Sequence, residues 1–307
     1  MADRPPRAVH GAPDRRPLLL RIGHAIEGAL LRAVWGLFAA MAPERASGVA
    51  GSLARAVGPH LATSRTARRN LTDAFPDLPG ERIEAIVREV WENLGRVAGE
   101  FPHLPNLDIY RDPRVVIEGV EHIDRLRDDG KPGIFFTAHI GNWELAAIAV
   151  TQRGLPLGVV YRAANNPTAD DLIRRGRANL PGELLPKGRE GAKRAIAILQ
   201  GGGHLGLLPD QKMNDGISVP FFGRPAMTAP AVAQFALKYD CPLVPIHVVR
   251  EGGFRFRVIV EPPLEIRPTG DRHADVAAIT TEVNRVIEGW IRARPGQWLW
   301  LHRRWPR

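Results

Sequence analysis

The chain has 307 residues, of which 44% are hydrophobic, enough to bury the core of one large α/β domain with a small helical addition. Its single cysteine, Cys241, excludes an internal disulfide. The sequence has no His-Glu-x-x-His or paired-cysteine pattern, so we expect no metal and no cofactor. The sequence also has no helix-turn-helix, zinc-finger or aromatic RNA-binding signature, which argues against a nucleic-acid partner.

The net charge of +9 is unevenly distributed along the chain. Residues 1–72 hold eleven basic and four acidic residues, a balance of +7, whereas the other 235 residues hold 31 against 29. A cationic N-terminal quarter suits an anionic lipid surface or an acidic protein.

The first 45 residues divide into a tail and a helix. Residues 1–16 are polar, basic and rich in proline, which is typical of disorder. Apolar residues recur at helical spacing over 17–45, but the interrupting charges would each cost about 2.5 to 3.5 kcal/mol at the centre of a membrane span. We therefore predict an amphipathic, membrane-associating helix in the interface plane. A helix packed on the protein's own core is the open alternative.

The rest of the chain, residues 46–307, is predicted to form one domain, helical over 46–110 and α/β over 111–307. Strands are predicted at 115–118, 133–138, 156–161, 183–185, 204–208, 243–249 and 254–260. Helices are predicted at 120–127, 143–153, 167–178, 189–200, 229–239 and 273–293. This alternation predicts a layered α/β fold with a central sheet that is mostly parallel or mixed.

Residues 137–144, Thr-Ala-His-Ile-Gly-Asn-Trp-Glu, form the most informative local pattern. They follow an apolar run that predicts a buried strand, so His139 would lie at a strand's carboxyl end, where open α/β sheets bind ligands. Asn142 is predicted to cap the next helix, with Glu144 in its first turn. From there Glu144 would hold one imidazole nitrogen and leave the other free to take a proton. The alternative is an ordinary polar histidine and a glutamate favoured by the helix dipole.

The string His-Ile-Gly-Asn-Trp-Glu resembles the HxxxxE signature of the late acyltransferases of lipid A biosynthesis, a branch of the lysophospholipid acyltransferase-like superfamily. Other segments resemble further blocks of that family in the same order: 67–76 (Ala-Arg-Arg-Asn-Leu-Thr-Asp-Ala-Phe-Pro), 160–167, 186–189 (Pro-Lys-Gly-Arg), 207–211 (Leu-Leu-Pro-Asp-Gln), 220–224 (Pro-Phe-Phe-Gly-Arg) and 297–305. Short HxxxxE strings are common, but this ordered set is specific. Because the family often carries an N-terminal anchor, a short tilted span over 17–45 also stays open.

The resemblance implies that His139 is a general base and that Glu144 fixes its tautomer. It also implies functional roles for Arg189 and Asp210. Arg189 opens a helix and offers a planar fork to a substrate phosphate. Asp210 closes a strand at the same edge of the sheet and would orient Arg189 or the substrate. The residues alone also allow an exposed helix arginine and an aspartate that caps a turn.

Three further polar residues are candidates for substrate binding. Arg162 and Asn166 follow the predicted third strand and would border the same cleft. Arg224 would lie at the mouth of an apolar wall for acyl chains formed by Phe221 and Phe222. A buried aromatic pair in the core is the equal alternative for these two rings.

The backbone N–H groups of Gly141 and Asn142 are candidates for stabilising an oxyanion. At the C-terminus, tryptophans alternate with arginines, which resembles interfacial anchoring with rings at the headgroup level. The segment His302-Arg303-Arg304 would alternatively close the fold.

The predicted reaction transfers a fatty acyl group from a thioester to a hydroxyl of a lipid A precursor, at the cytoplasmic face of the inner membrane. The resemblance implies acyl carrier protein as donor, and acyl coenzyme A stays open. No acyl-enzyme is expected, because no serine or cysteine adjoins His139. A glycerophospholipid or mannolipid acyltransferase is the enzymatic alternative, although glycerophosphate members typically carry HxxxxD where this chain has Glu144. A non-catalytic membrane-surface binding protein is the alternative of another class, and turnover of an acyl thioester would separate it.

Overall fold

The computed structural model describes residues 18–178 and 180–305. The predicted disordered tail, residues 1–16, lies outside the described residues. The helices are α1 Leu18–Ala39, α2 Pro43–Val57, α3 Ser64–Ala74, α4 Gly80–Glu100, α5 Val120–Asp128, α6 Glu144–Gln152, α7 Pro167–Gly176, α8 Arg189–Gln200, α9 Ala231–Tyr239 and α10 Arg272–Ala293. The strands are β1 Val115–Glu118, β2 Gly133–Phe136, β3 Leu157–Tyr161, β4 Gly182–Pro186, β5 His204–Leu207, β6 Ile217–Phe221, β7 Arg224–Thr228, β8 Leu243–Arg250 and β9 Phe256–Val260.

A seven-stranded sheet in the order β1-β9-β8-β2-β5-β3-β4 forms the centre of the fold. Its neighbours are parallel except β8 and β9, which are antiparallel, so the sheet is mixed. Helices cover both faces, and the central strands are therefore buried throughout: all four residues of β2 and all eight of β8 are buried, among them His247 and Arg250 of β8. The predicted fold class and the positions of the seven strands are confirmed.

The hairpin of β6 and β7 was absent from the predicted elements. Its two strands pair antiparallel through a two-residue turn at Phe222 and Gly223, whose φ angles are 52° and 69°. Positive φ at both central positions matches the twist of the strands. Pro220 and Pro225 obscure the pattern, because proline is depleted in strands and tolerated only at edges.

Helices α2 and α4 form a close pair on the helical side of the molecule. A Cβ atom added at Gly95 or Gly99 would lie 2.4 or 2.5 Å from a carbonyl oxygen of α2, so only glycine permits this approach. The pair matters for the site because α4 ends at the buried Glu100, which contacts the loop that carries the HxxxxE motif.

Helix α1 ends at Ala39 and α2 begins at Pro43, so the single helix predicted over 17–45 is shorter than expected. Proline lacks the N–H that would continue α1. On one side of α1, Phe38 is buried and the ring of Trp35 lies 6.0 Å from that of Phe101. On the other side, large apolar residues are exposed: Ile26, Leu30, Val34 and Leu37. Within the described residues, no helix combines the length and apolar character needed to cross a membrane.

Candidate active site

Four adjacent parallel strands bring the predicted polar residues to one edge of the sheet. In the order β2-β5-β3-β4, His139 follows β2, Asp210 follows β5, Arg162 follows β3 and Arg189 opens the helix after β4. The register pairs Phe136 with Leu207, which puts the ends of β2 and β5 side by side. In this order, Arg162 is two strands away from His139 and Arg189 is three strands away. Because neighbouring parallel strands lie about 4.8 Å apart, both arginines are well separated from the histidine.

His139 is held by Asp210. Its Nδ1 lies 2.9 Å from Oδ1 of Asp210, and its backbone N–H donates to Oδ2 over 2.8 Å. The Nε1–H of Trp298 donates to the same Oδ2 over 2.8 Å. Asp210 and Trp298 are buried, whereas the His139 side chain is 22% exposed. The carboxylate therefore fixes the ring with Nδ1–H as donor and leaves Nε2 facing outward, 3.5 Å from Nε2 of Gln211.

In the His139–Asp210 pair, the charge of each group favours the charged form of the other. Burial lowers the pKa of His139, but the charge of Asp210 and its hydrogen bond outweigh burial, so the pKa lies above its ordinary value. Burial raises the pKa of Asp210, and the opposing effect of His139 brings it well below its usual range. Asp210 therefore stays ionised and supports a proton on the imidazole.

Glu144 does not contact the imidazole, so the predicted partner of His139 is corrected. Its carboxylate forms a two-fold ion pair with Arg177, at 2.8 Å from Nε and 2.7 Å from Nη2, and accepts from Nε1 of Trp143 over 3.0 Å. Asp210 rather than Glu144 is the partner of His139 because of where the two carboxylates lie. Glu144 begins α6 and points toward the end of α7, whereas Asp210 follows the strand next to the one that precedes His139. The pair is largely buried, with exposures of 6% and 16%.

The loop between His139 and Glu144 rests on a buried polar network. Asn142 donates from Nδ2 to Glu100 over 2.8 Å, and Glu100 is paired with Arg250. Asn142 is therefore not a helix cap: α6 begins at Glu144 without a side-chain cap. The N–H of Gly141 donates to the Gln297 carbonyl over 3.1 Å, and Asn142 is fully buried. Neither predicted oxyanion donor is thus free to meet a substrate.

The predicted binding residues separate into two groups. Arg162 and Arg189 are exposed at the carboxyl edge, where a ligand can reach them. Asn166 instead caps α7 by accepting from the Thr168 N–H over 2.9 Å, and donates to Glu27 of α1 over 2.9 Å. This buried amide connects α1 to α7, so its assignment to the substrate cleft is wrong.

Arg224 and the two phenylalanines also differ from the prediction. Arg224 lies on the hairpin and pairs with Asp73 at 2.5 Å. Phe221 and Phe222 are buried, with 0% and 6% exposure, so they form the core pair of the alternative interpretation rather than a wall for acyl chains.

The C-terminal tryptophans are core residues and not interfacial anchors. Trp298, Trp300 and Trp305 are at most 3% exposed, and Arg304 is fully buried. Arg304 donates to the Met227 carbonyl and to Thr228 Oγ1, which closes the segment onto the hairpin. Burial lowers the pKa of Arg304 to about 10, which leaves it charged at neutral pH. The alternative, a segment that closes the fold, is the observed one.

Three residues of the site were not predicted from the sequence to belong to it; Trp298 was predicted only as an interfacial anchor. Trp298 and Gln211 lie within motif segments, but nothing local marks them as neighbours of Asp210 and His139. Arg177 lies 33 positions from its partner Glu144, in a predicted helix end where arginine is common. Only the fold, which brings the end of α7 close to the start of α6, puts the two side chains together.

A protein-family model described as bacterial lipid A biosynthesis acyltransferase matches residues 15–307. The chain belongs to this family. It is 26% identical over 241 residues to the lipid A biosynthesis myristoyltransferase of Escherichia coli strain K12, covering 77% of this chain and 73% of that protein. It is 27% identical over 249 residues to a phosphatidylinositol mannoside acyltransferase of Mycobacterium tuberculosis, covering 78% and 76%. The predicted family and enzyme class, an O-acyltransferase, are confirmed.

A solved 1-acyl-sn-glycerophosphate acyltransferase from Thermotoga maritima aligns with 86% of this chain and 98% of its own, with 14% identity and a TM-score of 0.36. Family membership makes this protein an acyltransferase of lipid A or glycolipid biosynthesis.

Proposed function

We propose that this protein transfers a fatty acyl group from acyl carrier protein to a hydroxyl of a lipid A precursor, with His139 as the general base. The observation that carries the proposal is the buried Asp210 carboxylate 2.9 Å from Nδ1 of His139, which leaves Nε2 facing outward at the carboxyl edge, beside Gln211. A base in this state takes a proton at neutral pH and is stabilised once it is protonated.

The proton path follows from the orientation of the ring. Nε2 accepts the proton of the acceptor hydroxyl as its oxygen attacks the thioester carbonyl. The tetrahedral intermediate collapses when the carbon–sulfur bond breaks, and the leaving thiolate takes the proton back from Nε2. Charge thus returns to its starting state, and Asp210 remains ionised throughout. The Gln211 side chain, beside Nε2, borders the position of the reacting oxygen.

Glu144 has a positioning role in this scheme. Its pair with Arg177 fixes the start of α6 and therefore the loop that begins with His139. Arg162 and Arg189, at the far side of the edge, would bind the anionic head of the acceptor. Their separation from His139 suits a substrate whose phosphate lies far from its reacting hydroxyl.

Membrane association is part of the proposal, with the enzyme at the cytoplasmic face of the inner membrane. Besides the exposed apolar residues of α1, four more lie on α2 and just beyond it, at Val49, Leu53, Val57 and Leu61, each at least 46% exposed. An exposed apolar face of this extent, on the cationic part of the chain, suits an anionic lipid surface.

A mannolipid acceptor is the second candidate, because the mannoside acyltransferase is as similar to this chain as the lipid A relative. The same base and the same direct transfer would serve either acceptor. Only the headgroup bound at the arginine end of the edge would differ.

Purified protein in detergent micelles would be supplied with acyl carrier protein loaded with C12, C14 or C16 chains and with either a tetraacylated lipid A precursor or a phosphatidylinositol mannoside. Mass spectrometry should detect one added acyl chain on the lipid A precursor, and His139→Ala should lower the rate by about 10² to 10⁴. Transfer only to the mannoside would favour the second candidate. Normal transfer by folded His139→Ala would refute the base assignment.

A further inference from the structure

The C-terminal segment 297–299 lies directly against the catalytic loop. The Gly141 N–H donates to the Gln297 carbonyl over 3.1 Å, and the Leu299 N–H donates to the His139 carbonyl over 3.0 Å. Ile140 and Trp298 form an antiparallel bridge between these bonds. Residues 139–141 are thus held by backbone pairing with a segment that lies 156 to 160 positions later in the chain.

This pairing directs one side chain at the relay. Trp298 is 1% exposed, and its Nε1–H reaches Oδ2 of Asp210 over 2.8 Å. Asp210 then accepts from three donors: the backbone N–H of His139, its Nδ1–H and the indole. The first two come from the residue that Asp210 must orient. The indole is the donor that ties the carboxylate to another part of the fold.

The N-terminal half holds the segment in place. Asn70 of α3 donates from Nδ2 to the carbonyl of Trp300 over 2.8 Å and to that of His302 over 2.7 Å. Asn70 is 1% exposed, and its place in the 67–76 motif is therefore explained by contact with the C-terminus. The distant motif segments 67–76 and 297–305 therefore meet at Trp300 and His302, close in sequence to Trp298.

We propose that Trp298 is a positioning residue for the His139–Asp210 pair, and that the C-terminal segment is part of the catalytic machinery rather than only a closing element of the fold. This rests on the proposed role of His139 as general base. The indole acts through Asp210: it fixes the rotamer of the carboxylate and takes up part of its negative charge. Trp298 itself touches no reacting atom.

Several titratable groups surround the His139–Asp210 pair. Besides Asp210, the charged groups acting on His139 are Glu144 and Arg177, and the titratable groups near Asp210 include His302 and Arg304. Burial lowers the pKa of His302 to about 4, so this ring is neutral near pH 7. Removing only the indole donor would leave more negative charge on Asp210. The protonated imidazole would then be favoured, and the pKa of His139 would rise.

The test replaces Trp298 with Phe and, in a second variant, with benzothienylalanine, in which a sulfur takes the place of the N–H at nearly the same shape. The matched control makes both replacements at Trp300, which is equally buried but donates to the Pro295 carbonyl over 2.8 Å. His139 is titrated by imidazole ¹⁵N shifts in full-length protein, with His139→Ala identifying its signal. The rates of acyl transfer are measured across the same pH range.

Both Trp298 variants should raise the pKa of His139, by on the order of half a unit, and shift the acidic limb of the rate profile to higher pH by the same amount. Their maximal rate should fall about tenfold, the worth of one hydrogen bond to a charged group, with KM for the acceptor unchanged. The Trp300 variants should leave the pH of the acidic limb where it is.

An unchanged titration of His139 in the Trp298 variants would overturn the inference, as would equal shifts in the Trp300 variants. Loss of the fold on replacing N–H with sulfur would also overturn it, since the bond would then be structural. Failure of the wild-type protein to transfer acyl groups would instead refute the proposed function. The titration of His139 does not depend on acyl transfer, so it tests the role of Trp298 separately.

Discussion

Asp210 is the residue with the greatest influence on His139, because its buried charge opposes the effect that burial has on the imidazole. We expect Asp210→Asn to lower acyl transfer by about 10² to 10⁴. With the carboxylate gone, burial is the largest effect left on the ring, so the pKa of His139 should fall. The neutral imidazole would then persist to lower pH, and the acidic limb of the kcat/KM profile should shift to lower pH.

The measurement is a pH–rate profile, with circular dichroism to verify the fold. Asp124→Asn is a suitable control, since Asp124 is paired with Arg127 and Arg153 on the surface of the molecule. An Asp210→Asn variant with a normal rate would contradict the relay.

The Glu144–Arg177 pair is expected to affect stability as well as activity. Either Glu144→Gln or Arg177→Met leaves the other group buried without its partner, at a cost of about 3 kcal/mol. The double variant should be less destabilised than the sum of the two single variants, because no charge is left unpaired. His139→Ala should lose activity without this loss of stability. Chemical denaturation of the four proteins measures this, and strictly additive losses would contradict the pairing.

Helices α1 and α2 both carry exposed apolar residues, and the role of this α1–α2 face can be tested by adding charge. We expect Leu30→Glu with Leu53→Glu to reduce sedimentation with vesicles of anionic phospholipid, because each carboxylate must leave water to enter the interface. Both residues exceed 60% exposure, so folding should be unaffected.

Val116→Glu provides the control for this face, since Val116 is 53% exposed on β1, at the edge of the sheet. Equal sedimentation of the double variant and this control would show that the α1–α2 face is not the membrane contact.

Helix α1 also connects to the site through α7. Asn166 caps α7 and binds α1, and the residue directly after α7 is Arg177, the partner of Glu144. The position of the N-terminal helix is therefore linked by packed elements to the start of α6. This linkage explains why an asparagine in a predicted loop is buried.

The charge of the whole molecule bears on the choice of donor. With a net charge of +9, the protein should attract the acidic acyl carrier protein over long range. The apparent affinity for acyl carrier protein should fall as ionic strength rises through about 0.1 M, where the Debye length is roughly 10 Å. Kinetics at several salt concentrations measure this. A salt-independent reaction that is equally fast with acyl coenzyme A would contradict this donor.

The sequence by itself determined the family, the succession of strands and helices along the chain, and the position of His139. The short apolar run of β2 marks a buried parallel strand, and the HxxxxE string follows it directly. The same information did not reveal the β6–β7 hairpin, where prolines interrupt the strand pattern.

Only the tertiary structure decided which side chains meet. Asp210 rather than Glu144 holds the imidazole because β5, not the start of α6, is the neighbour of β2 beside His139. Arg177 and Trp298 join the site through contacts 33 and 88 positions along the chain. Local sequence carries no record of such pairs, since strand order and helix packing are set by burial of the whole core. The sequence identifies the chemical group that each residue carries, but the fold determines which other side chain that group contacts.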